Sequence, residues 1–179
     1  LKVMLKIRVP ATSANLGSGF DSAGIALNLY NELYFYEALE KELPSGTILL
    51  QKNSLAHQGM ILVANTIGKK VPELKIAIKA AVPKSRGLGS SATLTVAGIV
   101  AANVFLDAKL KEEELILLAS RIEGHPDNAA PALLGGLVIS VLAEELKYIK
   151  VHPLNPLQVI VAVPNFELAT SEARKVLPE

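Results

Sequence analysis

The segment Gly87-Leu88-Gly89-Ser90-Ser91 limits most strongly what this chain can fold into. Two glycines separated by one residue predict a tight loop, and the loop leads directly into the apolar stretch Ala92–Leu106. A helix that is apolar on all sides has to be buried. We therefore expect a central helix, with a loop of small residues at the N-terminus, where the helix dipole favours anions.

The composition of this loop indicates phosphate binding. Small residues let backbone N–H groups approach a ligand closely, and two serine hydroxyls follow the glycines. Lys84 and Arg86 add positive charge on the N-terminal side of the loop. An ordinary glycine turn followed by serine N-caps is the alternative, and the combination of glycines, serines and basic residues favours phosphate.

Two well-known phosphate loops fit less well. A Walker A loop ends in Gly-Lys-Ser/Thr, which the sequence lacks. A dinucleotide fingerprint is closer, because Gly87, Gly89 and Ala92 match G-x-G-x-x-A and Asp107 lies 20 residues after the first glycine. That acidic residue should end a strand, whereas Asp107 follows a predicted helix, which argues against a Rossmann fold.

Two further segments concentrate polar side chains. The stretch from Pro10 to Asp21 packs hydroxyls, an amide and a carboxylate behind a strand, either to bind a small polar ligand or as a turn that satisfies its own backbone. The stretch from Glu123 to Asn128 holds two carboxylates, an imidazole and an amide. It suits a metal or acid–base cluster, and equally a helix end followed by an Asp N-cap.

Composition excludes several classes of function. The 179 residues carry 18 Lys+Arg and 17 Asp+Glu, so the net charge of +1 argues against a broad nucleic-acid-binding face. The absence of cysteine rules out disulfides and thiol chemistry. The most apolar stretch, 92–106, is too short to span a bilayer, and no targeting signal stands out, so we expect a cytoplasmic protein without membrane contact.

Strands and helices are mixed without strict alternation, which predicts an α+β sandwich with helices on one face of a largely antiparallel sheet. Ala11–Gly24 should be a loop, and Asp127 should cap a short helix. We expect strands at 3–9, 33–39, 47–51, 76–82, 137–142, 147–151 and 158–163, and helices at 54–68, 92–106, 111–122, 127–135 and 170–177.

Four segments together resemble the GHMP superfamily of small-molecule kinases, and within it the homoserine kinase family most closely. The loop matches Pro83-x-x-x-Gly-Leu-Gly-Ser-Ser-Ala92, and the N-terminal segment reads Pro10-Ala-Thr-Ser-Ala-Asn-Leu-Gly-Ser-Gly-Phe-Asp21. The middle segment runs from Glu123-Gly-His-Pro-Asp-Asn128 to Gly136, and a final one from Pro164-Asn165 through Arg174 to Pro178. The resemblance covers essentially the whole chain.

This resemblance implies a fold with two parts. Residues 1–155 would form the GHMP-kinase N-terminal ATP-binding domain, a two-layer sandwich like domain 2 of ribosomal protein S5. Residues 156–179 would supply the first strand and helix of an incomplete, ferredoxin-like C-terminal domain. Homoserine kinases continue past this C-terminus with a third glycine-rich motif and another arginine, so the length suggests a truncation.

The resemblance also implies ATP-dependent phosphorylation of the L-homoserine side-chain hydroxyl, in threonine biosynthesis, with Mg²⁺. Ser91 and Glu123 would hold the metal. Homoserine would lie among Asn15, Asp21, His125 and Arg174, with Asn128, Asp127 and Arg174 as catalytic residues and Asp127 mainly capping its helix and orienting Asn128. ATP would be bound by Pro83, Lys84, Ser85, Arg86, Gly87, Leu88, Gly89, Ser90, Ser91, Ala92 and Thr93.

Several alternatives stay open at this stage. Another GHMP kinase acting on a mevalonate-like alcohol is the first, although an amino-acid substrate better explains Arg174. A truncated, non-catalytic nucleotide-binding protein is the second, in which apolar surface at 158–178 would require a partner such as a second copy. The family places an asparagine near adenine around Asn53–Gln58, where this sequence offers Gln58. A homodimer is a further expectation.

Overall fold

The computed structural model describes residues 5–37, 43–155 and 158–166. Over these residues the chain forms one six-stranded antiparallel sheet and four helices. The strands are β1 (Leu5–Leu16), β2 (Gly19–Tyr36), β3 (Ile48–Leu49), β4 (Lys75–Lys79), β5 (Leu137–Leu142) and β6 (Leu146–Val151). The helices are α1 (Leu55–Thr66), α2 (Ser90–Phe105), α3 (Glu112–Glu123) and α4 (Pro126–Leu134). The α+β prediction is confirmed.

A long hairpin of β1 and β2 organises the sheet. Leu5 pairs with Phe35 at one end and Leu16 with Gly19 at the other, so β1 occupies one edge of β2 along its length. On the opposite edge, β4 pairs with residues 32–36 of β2 and β5 pairs with residues 23–25. Two strands from distant parts of the chain are therefore placed one behind the other on β2.

The prediction of a loop at Ala11–Gly24 is wrong. Most of this segment is paired within the hairpin, and Pro10 does not end β1. Pairing between Pro10 and Tyr30 changes to pairing between Thr12 and Ala26, so β2 carries extra residues there. Cross-strand hydrogen bonds outweigh the turn-forming composition of this segment, because they satisfy its backbone without a loop.

The core lies between the sheet and the helices. Val9, Leu33 and Phe35 point from β1 and β2 into one apolar cluster that also contains residues of all four helices. On the outer face of these strands, Lys6 and Arg8 form ion pairs with Glu32 at 2.9 and 3.4 Å. The alternation of apolar and charged residues along β1 therefore matches a sheet covered on one face.

Helix α2 is as buried as its composition predicts. Alanine, glycine and threonine let it approach its neighbours closely, and an added Cβ at Gly59 of α1 would lie 2.7 Å from the Thr95 backbone oxygen of α2. Gly98 lies as closely against the Ala56 backbone. Small residues at the α1–α2 crossing thus hold the helix in the centre of the core.

Several predicted boundaries differ from the structure. Strand β4 ends at Lys79 rather than at residue 82, and β3 contains two residues that pair with β4. Residues 158–163 form no strand, because no described strand supplies them with a hydrogen-bonding partner. Residues 38–39 and the predicted helix at 170–177, with Arg174, lie outside the described residues. No described helix has the length and hydropathy of a membrane span.

Candidate functional site

The glycine-rich loop connects β4 to α2 through residues with left-handed backbone. Ser85, Gly87 and Gly89 have φ values of 52°, 69° and 62°. When left-handed residues alternate with right-handed ones, successive backbone N–H groups of a loop can face the same concave side, and such a concavity suits an anion. Gly89 is the N-cap of α2. Because it has no side chain, it cannot accept a hydrogen bond from the first N–H groups of the helix. The loop therefore has the conformation expected for a phosphate cradle.

Strand β1 and helix α4 meet this loop at Gly89. The Thr12 N–H donates to the Leu88 carbonyl at 3.1 Å, and the Thr12 hydroxyl donates to Asn128 Oδ1 at 2.7 Å. A Cβ added at Gly89 would overlap Thr12 Oγ1 and would lie 3.0 Å from Asn128 Oδ1. The predicted phosphate loop and the predicted catalytic asparagine are therefore separated by one threonine side chain.

The predicted metal ligands are in direct contact. Ser91 Oγ, in the first turn of α2, donates to Glu123 Oε2 at 2.7 Å, and Glu123 lies at the last residue of α3. Thr95 Oγ1, one turn further along α2, donates to the other oxygen, Glu123 Oε1, at 2.6 Å. Both carboxylate oxygens are thus oriented by hydroxyls on the same face of α2.

A second cluster lies at the start of α4. Asp21, His125 and Asp127 each offer a ligand atom, and these atoms lie within 4.8 Å of one another. His125 Nδ1 contacts Asp127 Oδ1, to which Asn128 Nδ2 also donates at 3.3 Å. Asp127 is fully buried, and its Oδ2 has no hydrogen-bond partner among the described residues. The cluster thus contains a buried carboxylate oxygen that is still able to accept a hydrogen bond.

The prediction that Asp127 caps α4 is wrong. His125 is the N-cap and Pro126 follows as the first helical residue, a position that suits proline because its missing N–H would be unpaired there. Asp127 is consequently one residue inside the helix. Its carboxylate contacts His125 and Asn128 instead of capping the backbone.

The turn of the β1–β2 hairpin brings the remaining predicted acceptor-site residues to this cluster. Asn15 Oδ1 accepts a hydrogen bond from the Asp21 N–H at 2.8 Å. Both residues have left-handed backbone, with φ values of 59° and 54°, a conformation that Asn and Asp tolerate better than most residues. The turn is thereby closed upon itself, and Asp21 lies beside His125 and Asp127.

The predicted basic and adenine-side residues are less closely assembled. Arg86 donates through Nη2 to the Asn165 carbonyl at 3.4 Å, whereas Lys84 is exposed. Gln58 is exposed in the first turn of α1, and its Nε2 donates to the Asn53 carbonyl at 2.9 Å. Arg174 lies outside the described residues.

Three further residues of the site are not singled out by any sequence motif. Thr12 and Thr95 contact Asn128 and Glu123, and Asn31, from β2, is bonded to Thr93 at the start of α2. Asn31 takes one of the alternating positions that Leu27, Leu29 and Leu33 otherwise fill, and a polar residue at such a position was a signal that could have identified it. The threonines carry no comparable signal, because threonine is common in both strands and buried helices.

An apolar groove of about 560 Å³ opens beside the loop. Its lining includes residues 25–29 of β2, Leu88 of the loop, and Val159, Val161 and Val163. The chain after β6 therefore folds back over β2 next to the loop.

Comparison with protein families identifies a match over residues 34–136 to the family described as GHMP kinases N terminal domain. The matched region contains the glycine-rich loop, the Ser91–Glu123 pair and the start of α4. The N-terminal hairpin turn with Asn15 and Asp21 lies before it.

Individual relatives extend the similarity to nearly the whole chain. It is 48% identical to a homoserine kinase of Clostridium beijerinckii over 98% of this chain and 60% of the relative. The crystal structure of homoserine kinase from Cytophaga hutchinsonii is 28% identical, with a TM-score of 0.73 over 100% of this chain and 61% of that one. The Methanococcus jannaschii mevalonate kinase, at 19% identity and a TM-score of 0.61, covers 84% of this chain and 56% of its own, and shares the fold. This chain thus spans about 60% of the length of the homoserine kinases that it matches.

Proposed function

The chain belongs to the GHMP kinase family, and from this we propose that it binds ATP and phosphorylates the side-chain hydroxyl of L-homoserine, a step in threonine biosynthesis. The observation that carries the proposal is the contact at Gly89, where the Thr12 hydroxyl joins the phosphate loop to Asn128. A phosphotransferase has to hold its donor and acceptor within bonding distance, and this contact brings a phosphate cradle next to a cluster suited to an amino acid.

For the donor, we propose that residues 83–93 hold the ATP phosphates. Phosphoryl transfer depends mainly on positioning and on neutralising charge, which the N-terminus of α2 and the loop N–H groups can supply. Lys84 and Arg86 precede the glycines and add positive charge at the N-terminal end of the loop.

The Ser91–Glu123 pair fits Mg²⁺. A hydroxyl and a carboxylate are hard oxygen donors, they already lie 2.7 Å apart, and Thr95 orients the other carboxylate oxygen. We propose that Ser91 and Glu123 hold the ion in this kinase. Bound there, Mg²⁺ would neutralise charge on the ATP phosphates.

For the acceptor, we propose that Asp21 pairs with the homoserine ammonium group, with Asn15 and His125 beside it. The Asp21–His125–Asp127 cluster supports this assignment, because closely spaced carboxylates attract a small cation. Arg174, outside the described residues, is proposed to bind the homoserine carboxylate, for which a planar guanidinium is well shaped. Opposite charges at the two ends would select a zwitterion.

We propose Asn128 and Asp127 as the residues nearest the chemistry. The homoserine oxygen forms a bond to the γ-phosphorus as the bond from that phosphorus to the leaving ADP oxygen breaks, and the hydroxyl proton passes to water. Asn128 is half-buried, and Thr12 and Asp127 hold its amide in one orientation. Asp127 then acts by orienting Asn128 and His125, and no dedicated carboxylate base is required.

Substitutions at these two residues separate the roles. Asp127→Asn should leave turnover within about tenfold of wild type, since an amide can still accept from Asn128, whereas Asn128→Ala should abolish it. A loss with Asp127→Asn as large as with Asn128→Ala would instead make Asp127 the proton acceptor.

Because this chain spans about 60% of its relatives, the activity is tested in two forms. Nucleotide binding is measured on the chain itself by calorimetry with ATP and Mg²⁺. Turnover is measured by a coupled ADP assay on a fusion to the residues that follow the matched region in the Clostridium beijerinckii relative. We expect ATP binding by the chain, and turnover with L-homoserine by the fusion. A fusion that prefers mevalonate would refute L-homoserine as the substrate. ATP binding by the chain without turnover by the fusion would favour a non-catalytic protein.

Three further proposals concern the domain bounds, the cellular location and the oligomeric state. We propose that residues 1–155 are the nucleotide-binding domain and that the protein works in the cytoplasm, where ATP is abundant. We also propose a homodimer, because Ile139, Val141 and Ile149 expose an apolar patch on the β5–β6 hairpin. Sedimentation at several concentrations tests the dimer, and a monomer at all of them would refute it.

A further inference from the structure

Asn31 is a buried amide with three side-chain hydrogen bonds, and it has no role in the function proposed above. It lies in β2 with 1% of its surface exposed. Its Oδ1 accepts from the N–H groups of Ala81 and Val82, both at 2.9 Å, and its Nδ2 donates to Thr93 Oγ1 at 2.8 Å. One side chain thus contacts the segments on both sides of the glycine-rich loop.

These bonds begin where the sheet pairing of β4 ends. Lys79 of β4 pairs with Glu32, and the next residue of β2 toward the hairpin turn is Asn31. Residues 81 and 82 have left the ladder, and their N–H groups need another acceptor, which the Asn31 side chain provides. The asparagine therefore fixes the direction in which the chain leaves the sheet and enters the loop.

On the other side of the loop, Asn31 holds the first turn of α2. Thr93 is fully buried, and its hydroxyl donates to the Ser90 carbonyl at 2.7 Å while it accepts from Asn31. The start of the loop and the start of the helix are thereby held at one distance by a single planar amide. An aliphatic residue at this position would leave the buried Val82 N–H and the part-buried Ala81 N–H without their acceptor, and the Thr93 hydroxyl would keep only its bond to Ser90.

We infer that Asn31 is a positioning residue for the ATP phosphates. It sets the separation between the loop entrance at 81–82 and the helix N-terminus at 90–93, and so the shape of the cradle between them. This inference rests on the proposed ATP binding. Asn31 thus affects ATP binding through the shape of the glycine-rich loop rather than through general stability.

The test compares Asn31→Ala with a core variant of α1, Val63→Ala, which is fully buried and outside the loop. Both are expected to lower the unfolding temperature, since one loses buried hydrogen bonds and the other leaves a cavity. Binding of ATP and of adenosine is measured by displacement of a fluorescent ATP analogue, at a temperature where circular dichroism shows each variant folded. If Asn31 had only a structural role, Asn31→Ala and Val63→Ala would weaken ATP binding to the same extent.

We expect Asn31→Ala to weaken ATP binding at least tenfold and adenosine binding less than twofold, with Val63→Ala changing both less than twofold. The second variant, for use if Asn31→Ala fails to fold, is Thr93→Val, which removes the acceptor of Asn31 Nδ2. Thr93 is fully buried and its hydroxyl contacts Asn31 and Ser90, so the variant removes no hydroxyl that faces the ligand. We expect the same pattern for Thr93→Val, and Thr93→Ser, which keeps the hydroxyl, should bind ATP as the wild type does. Unchanged ATP binding by folded Asn31→Ala, or an equally large loss of ATP binding with Val63→Ala, would overturn this inference and leave the proposed function standing. Failure of the wild-type chain to bind ATP would overturn the proposed function and this inference with it.

Discussion

Substitution of Gly89 by alanine tests the contact on which the proposed function depends. Gly89 has a left-handed φ of 62°, and a Cβ built there overlaps Thr12 Oγ1 and lies 3.0 Å from Asn128 Oδ1. The methyl group would have to displace the Thr12 side chain, which donates the 2.7 Å hydrogen bond to Asn128. The substitution should therefore disturb both the loop and the Asn128 amide that we propose as catalytic.

The magnitude follows from two separate costs. A Cβ in left-handed backbone costs about 1–2 kcal/mol, which the reduced freedom of the unfolded chain offsets by about half. Moving Thr12 loses a hydrogen bond of about 1 kcal/mol and strains a rotamer by about another 1 kcal/mol. Gly89→Ala should thus lower the free energy of unfolding by about 3 kcal/mol in all.

Gly87→Ala is the matched control. Gly87 has a similar φ of 69°, and a Cβ there meets no atom within 4 Å, so this variant carries the backbone strain without the overlap. For a chain of this length about 1 kcal/mol shifts the unfolding temperature by about 2–4 °C. Thermal unfolding followed by circular dichroism should show a drop of about 1–4 °C for Gly87→Ala and about 5–12 °C for Gly89→Ala.

A double variant identifies the colliding atom. Thr12→Ala removes Oγ1 and leaves Asn128 Oδ1, at 3.0 Å, as the nearest remaining contact to the added methyl group. The combined variant should therefore be more stable than the sum of the two single effects by about 1 kcal/mol. Equal unfolding temperatures for the two glycine variants, or strictly additive effects with Thr12→Ala, would refute the packing argument.

Three further predictions concern other parts of the structure. Glu123→Gln should raise the Mg²⁺ concentration needed for half-maximal ATP binding by at least tenfold, because an amide is a weaker ligand than a carboxylate. An unchanged Mg²⁺ concentration for half-maximal binding would show that Glu123 is not a metal ligand. Gly59→Ala should destabilise the protein by about 1–3 kcal/mol in urea unfolding, since its Cβ would lie 2.7 Å from the Thr95 carbonyl oxygen and the helices would have to separate; a neutral result would show that the crossing is loosely packed. Burial lowers the pKa of His57 from its ordinary value of 6.5, so the unfolded chain binds the proton more readily and stability falls as the pH drops from above 6.5 through the folded pKa. His57→Gln should flatten that fall by less than about 1.4 kcal/mol per pH unit in urea titrations at a series of pH values, and an unaltered slope would contradict the assignment.

Local patterns were enough to predict most helices and the last sheet hairpin. Strand β5 has the predicted bounds, and α2 and α3 begin within two residues of prediction. Helix α3 has three glutamates in its first turn and Gly124 as its C-cap, signals that act within one turn. Such elements are visible in the sequence because their determinants are neighbours along the chain.

The motifs also named residues that the structure brings together. Ser91 contacts Glu123, and Thr12 links the glycine-rich loop to Asn128. The roles of Ser91, Glu123 and Asn128 follow from the family resemblance and stay predictions. What short patterns could not predict was the role of Asp127 within its helix. The N-cap preference of aspartate is a local tendency, and burial against His125 overrode it.

The sequence by itself determined the family, the buried helix and the glycine-rich loop before it, because each depends on composition and spacing over short segments. Only the tertiary structure decided that residues 11–24 pair as strands and that Thr12 meets Asn128 across 116 positions of the chain. It also decided that Asn31 holds Thr93 across 62 positions. Such contacts depend on the register of β2 and on which polar groups are buried together. No local propensity encodes these, because hydrogen bonds between distant residues form only when the whole sheet and its helices are packed.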